Sequence, residues 1–101
     1  MSGRNATRTL YAARDLDYAV PPGETLRELL EERGMAQFEL AERAGLSPEH
    51  VNRLIHGLVR LTPEVAESLE RVVGTPAKLW SRLEADYQST RARLRSVRPG
   101  A

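Results

Sequence analysis

Six polar side chains between residues 37 and 53 have types and spacing suited to binding by hydrogen bonds. Asparagine can pair with an adenine edge, arginine with guanine or a phosphate, and glutamate can accept from cytosine N4. Glutamine and serine at helix N-termini can hold phosphates, which fixes register without reading sequence. The six predicted DNA-contact residues are Gln37, Ser47, Glu49, His50, Asn52 and Arg53. For each of them, the alternative interpretation is an ordinary polar helix surface.

Two short helices joined by a tight turn must position these side chains. The first is predicted over 36–44 and ends at Gly45, which can adopt the positive φ of a helix C-cap. Ser47 is a good N-cap and Pro48 a good first residue for the second helix, predicted over 48–56. Val51, Leu54 and Ile55 repeat at helical spacing, so they face inwards. This pattern predicts a helix-turn-helix, in which Gln37, Ser47 and Arg53 hold phosphates while His50 and Asn52 meet base edges.

Three more helices complete the predicted fold, which is all-α with five helices and no confident strand. The first helix is predicted over 24–33, after Pro21-Pro22-Gly23. Thr62-Pro63 predicts the start of the fourth helix and Gly74 its end, and Thr75-Pro76 predicts the start of a fifth that continues towards residue 97. We expect a partly ordered N-terminal extension over 1–20, the helix-turn-helix domain over 21–88 and an Arg-rich tail over 89–101.

The charge of the 101-residue chain is distributed unevenly, although the net charge is only +1. Residues 18–87 carry eight basic and twelve acidic side chains, whereas residues 88–101 carry four arginines and no acid. DNA-binding domains gain affinity by neutralising phosphates, so the acidic middle disfavours strong solitary DNA binding and suggests a basic partner. There is no cysteine and no apolar run of membrane-spanning length. A cytoplasmic protein without membrane contact is expected.

The span from Pro22 to Tyr87 resembles the HigA family of antitoxins, among phage-repressor-like helix-turn-helix proteins. The resemblance is carried by residues 21–26, by 40–57, by Leu-Thr-Pro-Glu-Val-Ala at 61–66 and by Gly-Thr-Pro-Ala-Lys-Leu-Trp at 74–80. It implies a dimeric antitoxin that neutralises a small, basic, HigB-like mRNA-cleaving toxin and represses its own operon at a palindromic operator. The sequence departs from the family at Phe38, usually polar, at Leu58, usually basic, and at Glu49, where Gln or Lys is common.

The last predicted helix carries a candidate homodimer interface. Leu83, Tyr87 and Leu94 lie far enough along this helix to reach a second copy across a two-fold axis. The arginines between 91 and 98 could grip the DNA backbone, although such runs are usually solvated tails.

Catalysis is not expected, because the sequence has no phosphate-binding loop, no HExxH motif and no cysteine nucleophile. No cofactor is expected either, and His50 and His56 are a poor metal pair because six residues place them about 120° apart on a helix. Two alternatives to the antitoxin remain: a stand-alone transcriptional repressor, and a protein-binding module that has lost DNA binding. Phe38, Leu58 and the acidic middle favour the second.

Overall fold

A computed structural model describes residues 19–96, which form five α-helices and no strand. The helices are α1 (Pro22–Arg33), α2 (Gln37–Ala44), α3 (Pro48–Ile55), α4 (Pro63–Val73) and α5 (Ala77–Ser96). The predicted all-α, five-helix architecture is confirmed.

The ends of α2, α3 and α4 follow from local capping chemistry. Ser47 Oγ accepts a hydrogen bond from the backbone N–H of His50 at 3.0 Å, and Thr62 Oγ1 accepts one from Val65 at 3.3 Å. These bonds satisfy donors that the first turn of a helix leaves without partners. Gly45 ends α2 with a φ of 72°, the left-handed conformation that glycine adopts without penalty. The helix-turn-helix prediction is therefore confirmed almost to the residue.

Two helix starts differ from the sequence prediction. Helix α1 begins at Pro22, two residues before the predicted start, since a first-turn proline loses no hydrogen bond. Helix α5 begins at Ala77, so Thr75 is not its N-cap. The backbone N–H of Ala77 instead donates to Glu70 Oε1 at 3.0 Å, a side chain from the preceding helix. Helix α5 continues to Ser96, which places the predicted domain boundary at 88/89 inside one helix.

One hydrophobic core joins all five helices. Helix α1 packs against α3 and α5, α2 packs against α3 and α4, and α4 packs against α5. The largest fully buried side chains are Trp80, Leu26, Leu40, Leu69, Val51 and Val73. The apolar face of α3 is thus committed to this core, which leaves its opposite face to solvent.

The connection between α3 and α4 is attached to α5 by a glutamate. The backbone N–H of Leu61 donates to Glu84 Oε1 at 3.2 Å, while Glu84 Oε2 accepts from Gln88 Nε2 at 2.6 Å. Helix α5 therefore stabilises the loop that follows the helix-turn-helix.

Candidate nucleic-acid interface

The start of α2 and the exposed side of α3 form a shallow surface concavity of about 450 Å³. Its lining residues are Gln37, Phe38, Pro48, Glu49, Asn52 and Arg53. Four of the six predicted contact residues therefore share one surface, although the sequence separates Gln37 from Arg53 by a whole helix and a turn. The structure brings hydrogen-bond donors and acceptors from both helices to the place where a helix-turn-helix meets DNA.

A hydrogen bond connects the two helices within this surface. Asn52 Nδ2 donates to Gln37 Oε1 across 3.3 Å. A side-chain amide nitrogen carries two hydrogens, so Asn52 keeps its second N–H and its carbonyl oxygen for another partner. These are the donor and the acceptor that an asparagine uses towards an adenine edge. The bond orients both amides before any ligand arrives.

Ser47 has a structural role that leaves it a free donor. Its oxygen accepts the capping hydrogen bond from His50, and its side chain is exposed. The hydroxyl hydrogen remains available, since a serine hydroxyl donates as well as accepts. Ser47 can therefore cap α3 and donate to a phosphate at the same time.

The structure sets His50 apart from the other predicted residues of α3. Glu49, Asn52 and Arg53 are exposed, whereas His50 is half-buried. Its Nε2 is enclosed and has no hydrogen-bond partner within the described part of the chain. A base contact through Nε2 would require the ring to rotate outwards. The contact predicted for His50 stays a prediction, with less support from geometry than the one for Asn52.

Positive charge is scarce around the concavity. Arg53 is the one cation in its lining, and the Glu49 carboxylate is beside it. On α2, Arg43 is paired with Glu39 at 2.8 Å. On α1, hydrogen bonds to Glu24 and Glu31 raise the pKa of Arg27 and hold its charge in a local network. Arg53 is therefore the strongest candidate for a phosphate contact at this surface.

Three large apolar side chains of the described residues are exposed, namely Phe38, Leu58 and, to a lesser degree, Leu79. Phe38 is 66% exposed and Leu58 is 71% exposed, and Phe38 lines the concavity. Pro48 also lines it, which the sequence did not indicate, because a proline after an N-cap is fully explained by helix initiation.

The three residues predicted for the dimer interface have different surroundings. Leu83 is partly buried and packs against the core of its own chain. Tyr87 is half-buried, with the Arg91 guanidinium 5.4 Å from its ring centre, and its hydroxyl would lie 3.5 Å from a Cβ built on Gly57. Leu94 is half-exposed near the end of α5. Leu94 is therefore the best placed of the three to meet a second copy.

Within residues 19–96, no group of three or more His, Cys, Asp or Glu side chains is arranged so that it could hold a metal ion. None of the five helices is both long enough and apolar enough to cross a membrane.

Comparison with known proteins defines the class to which this fold and surface belong. The helix-turn-helix family model matches residues 26–80, so the chain belongs to the helix-turn-helix family. It is also 33% identical over 63 residues to the HTH-type transcriptional regulator YddM of Escherichia coli. This match covers 62% of the present chain and 67% of YddM.

Solved structures narrow the similarity to HigA antitoxins. An addiction module antidote protein of the HigA family from Coxiella burnetii superposes with a TM-score of 0.70 and 26% identity, covering 78% of this chain and 86% of that one. The antitoxin HigA of Pseudomonas aeruginosa, solved with the higBA promoter, gives a TM-score of 0.70 and 29% identity over 73% and 82% of the two chains. The chain is thus a HigA-like helix-turn-helix protein, which confirms the resemblance in its sequence.

Proposed function

We propose that this protein is the antitoxin of a type II toxin–antitoxin module and represses its own operon by binding operator DNA. The observation that carries the proposal is the exposed polar face of α3, where Asn52 and Arg53 share a concavity with the N-terminus of α2. A helix-turn-helix presents this region to the major groove. The solved complex of the similar Pseudomonas HigA with promoter DNA supports the same use of the fold.

In this mechanism, two copies associate through α5 and present two α3 helices about 34 Å apart, one turn of B-DNA. Gln37, Ser47 and Arg53 hold phosphates and fix the register on the duplex. Asn52 reads a base edge with the amide hydrogen and oxygen that its bond to Gln37 leaves free. His50 and Glu49 complete the predicted contacts. Leu94 leads the dimer contacts on α5, with Leu83 and Tyr87 nearer the domain.

The toxin partner in this proposal is a small, basic, HigB-like mRNA-cleaving protein. Residues 18–87 have more acidic than basic side chains, which suits a basic partner, since opposite charges steer association. The antitoxin acts in the cytoplasm by binding and has no catalytic role of its own.

A salt-titrated binding assay on DNA from the protein's own promoter tests this function. We expect a preference for promoter DNA over a scrambled duplex of equal length. A plot of the logarithm of the affinity against the logarithm of the salt concentration should be linear, with a slope of roughly −0.9 for each phosphate that the protein neutralises. Equal affinity for both duplexes at every salt concentration would contradict operator recognition.

A protein-binding module without DNA binding is the second candidate, because Phe38 and Leu58 are exposed and apolar. Co-expression with the neighbouring reading frame separates the candidates. If a small basic protein co-purifies and the promoter is also bound, the antitoxin function is supported. Co-purification without promoter binding supports the protein-binding module, and promoter binding alone supports a stand-alone repressor.

A further inference from the structure

We propose that Phe38, together with Pro48, contacts the 5-methyl group of a thymine in the operator. This inference rests on the proposed function and adds a specificity determinant to it. The predicted contact residues are all polar, whereas a thymine in the major groove differs from cytosine partly by its apolar methyl group. Phe38 and Pro48 supply the apolar surface that such a methyl group needs.

Phe38 is available to a ligand because its own chain leaves it uncovered. It is the second residue of α2 and remains 66% exposed, whereas Trp80 on α5 is 0% exposed. Covering an exposed phenylalanine ring stabilises a complex by removing apolar area from water. The ring therefore favours a ligand with an apolar group at this position.

The surroundings of Phe38 match the edge of a thymine. Phe38 and Pro48 line the same concavity as Asn52 and Arg53, so apolar surface and hydrogen-bond donors lie side by side. Thymine presents an O4 acceptor next to its C5 methyl group in the major groove. A donor from Asn52 towards O4 would bring the methyl group to the apolar part of the concavity.

Charge indicates that this part of the concavity meets a base edge rather than a phosphate. Glu49 lines it too, and its carboxylate repels phosphate oxygens, while Phe38 and Pro48 have no side-chain donor for them. A carboxylate can accept from a cytosine N4 amino group beside the thymine. DNA is the occupant that the fold supports, because the N-terminus of the second helix of a helix-turn-helix lies in or at the groove.

Promoter DNA without thymine methyl groups tests the contact directly. The promoter fragment is amplified with dUTP in place of dTTP from primers that contain uracil instead of thymine, which removes every such methyl group and keeps the base-pairing groups. We expect the wild-type protein to bind uracil DNA roughly fourfold more weakly for each methyl group it contacts, from the usual value of burying one such group. Phe38→Ala should lose most of the difference between thymine and uracil DNA, because only Pro48 then remains to contact the methyl group. Phe38→Leu should regain part of the difference.

Leu58→Ala is the matched control, since Leu58 is equally exposed but does not line the concavity. It should keep the full uracil penalty, and circular dichroism should show the helical content of all variants unchanged. An identical uracil penalty in the wild type and Phe38→Ala, or no penalty in the wild type, would overturn the thymine contact and leave operator binding standing. Failure of the wild type to prefer promoter DNA at all would overturn the proposed function and the thymine contact together.

Discussion

Gly23 illustrates how a single residue can have a role that local sequence does not reveal. Pro21-Pro22-Gly23 is typical of a loop before a helix, yet Gly23 lies within α1 and is buried. A Cβ built on it would lie 2.6 Å from Ile55 Cα and would also overlap the Leu54 carbonyl oxygen. The absence of a side chain is what lets the start of α1 approach the end of α3 closely.

Gly23→Ala should therefore destabilise the fold, because the obstacle is backbone that cannot rotate away. We expect a loss of about 2–3 kcal/mol in the free energy of unfolding, at the upper end for overpacking, measured by urea denaturation. Gly34→Ala is the control. Gly34 has a φ of 64° and nothing within 4 Å of a built Cβ. Its substitution should therefore lower the free energy of unfolding by only about 1 kcal/mol, the cost of placing alanine in the left-handed conformation. A larger loss at Gly34 than at Gly23 would contradict the close approach of the helices.

The candidate site was predictable from sequence only in part. Helical spacing turns Val51, Leu54 and Ile55 inwards, so the exposure of Asn52 and Arg53 follows by elimination. The hydrogen bond between Asn52 and Gln37 joins residues fifteen apart, and the enclosure of His50 Nε2 depends on its neighbours in space. Neither can be derived from spacing along one helix.

Helix boundaries show the same division between local and tertiary causes. The starts of α3 and α4 were predicted because each carries its N-cap, Ser47 or Thr62, in the adjacent sequence. The N-cap of α5 was predicted wrongly, because the acceptor for its first N–H comes from Glu70, seven residues earlier and on another helix. A capping group from a different element leaves no signature next to the helix that it caps.

Glu70→Ala should consequently weaken the junction between α4 and α5. We expect a loss of about 1 kcal/mol in unfolding free energy, the usual value of a helix-capping hydrogen bond. Hydrogen exchange at the Ala77 amide should accelerate as well. Glu67→Ala removes the same charge from an exposed position of α4 and should leave that amide protected. Equal exchange in the two variants would show that the Glu70 bond does not hold the start of α5.

The arrangement of five helices was predictable because apolar spacing, caps and glycines all indicate the same elements. The position of α5 relative to the rest was not. Its residues Leu83 and Tyr87 pack against their own domain, which leaves Leu94 as the predicted dimer contact farthest from the core. The arginines at 91, 93 and 95 lie on the exposed surface of this same helix.

Charge also separates across the molecule in a way that bears on its partners. The domain that holds the concavity is acidic overall, whereas the end of α5 is basic. Phosphate neutralisation supplies most non-specific DNA affinity, so α3 is expected to contribute specificity more than attraction. Among the residues that line the concavity, Arg53 is the one cation, so its substitution should lower phosphate-dependent affinity more than substitution of the others.

Promoter binding by an Asn52→Ala, Arg53→Ala double variant tests whether α3 reads operator DNA. Each side chain is expected to contribute roughly 1–3 kcal/mol, so the double variant should lose at least about thirtyfold in affinity and most of its preference over scrambled DNA. Arg82→Ala, an exposed arginine on α5, removes one positive charge away from α3 and should retain the preference. Retention of full promoter preference by the double variant would contradict a DNA-reading role for α3.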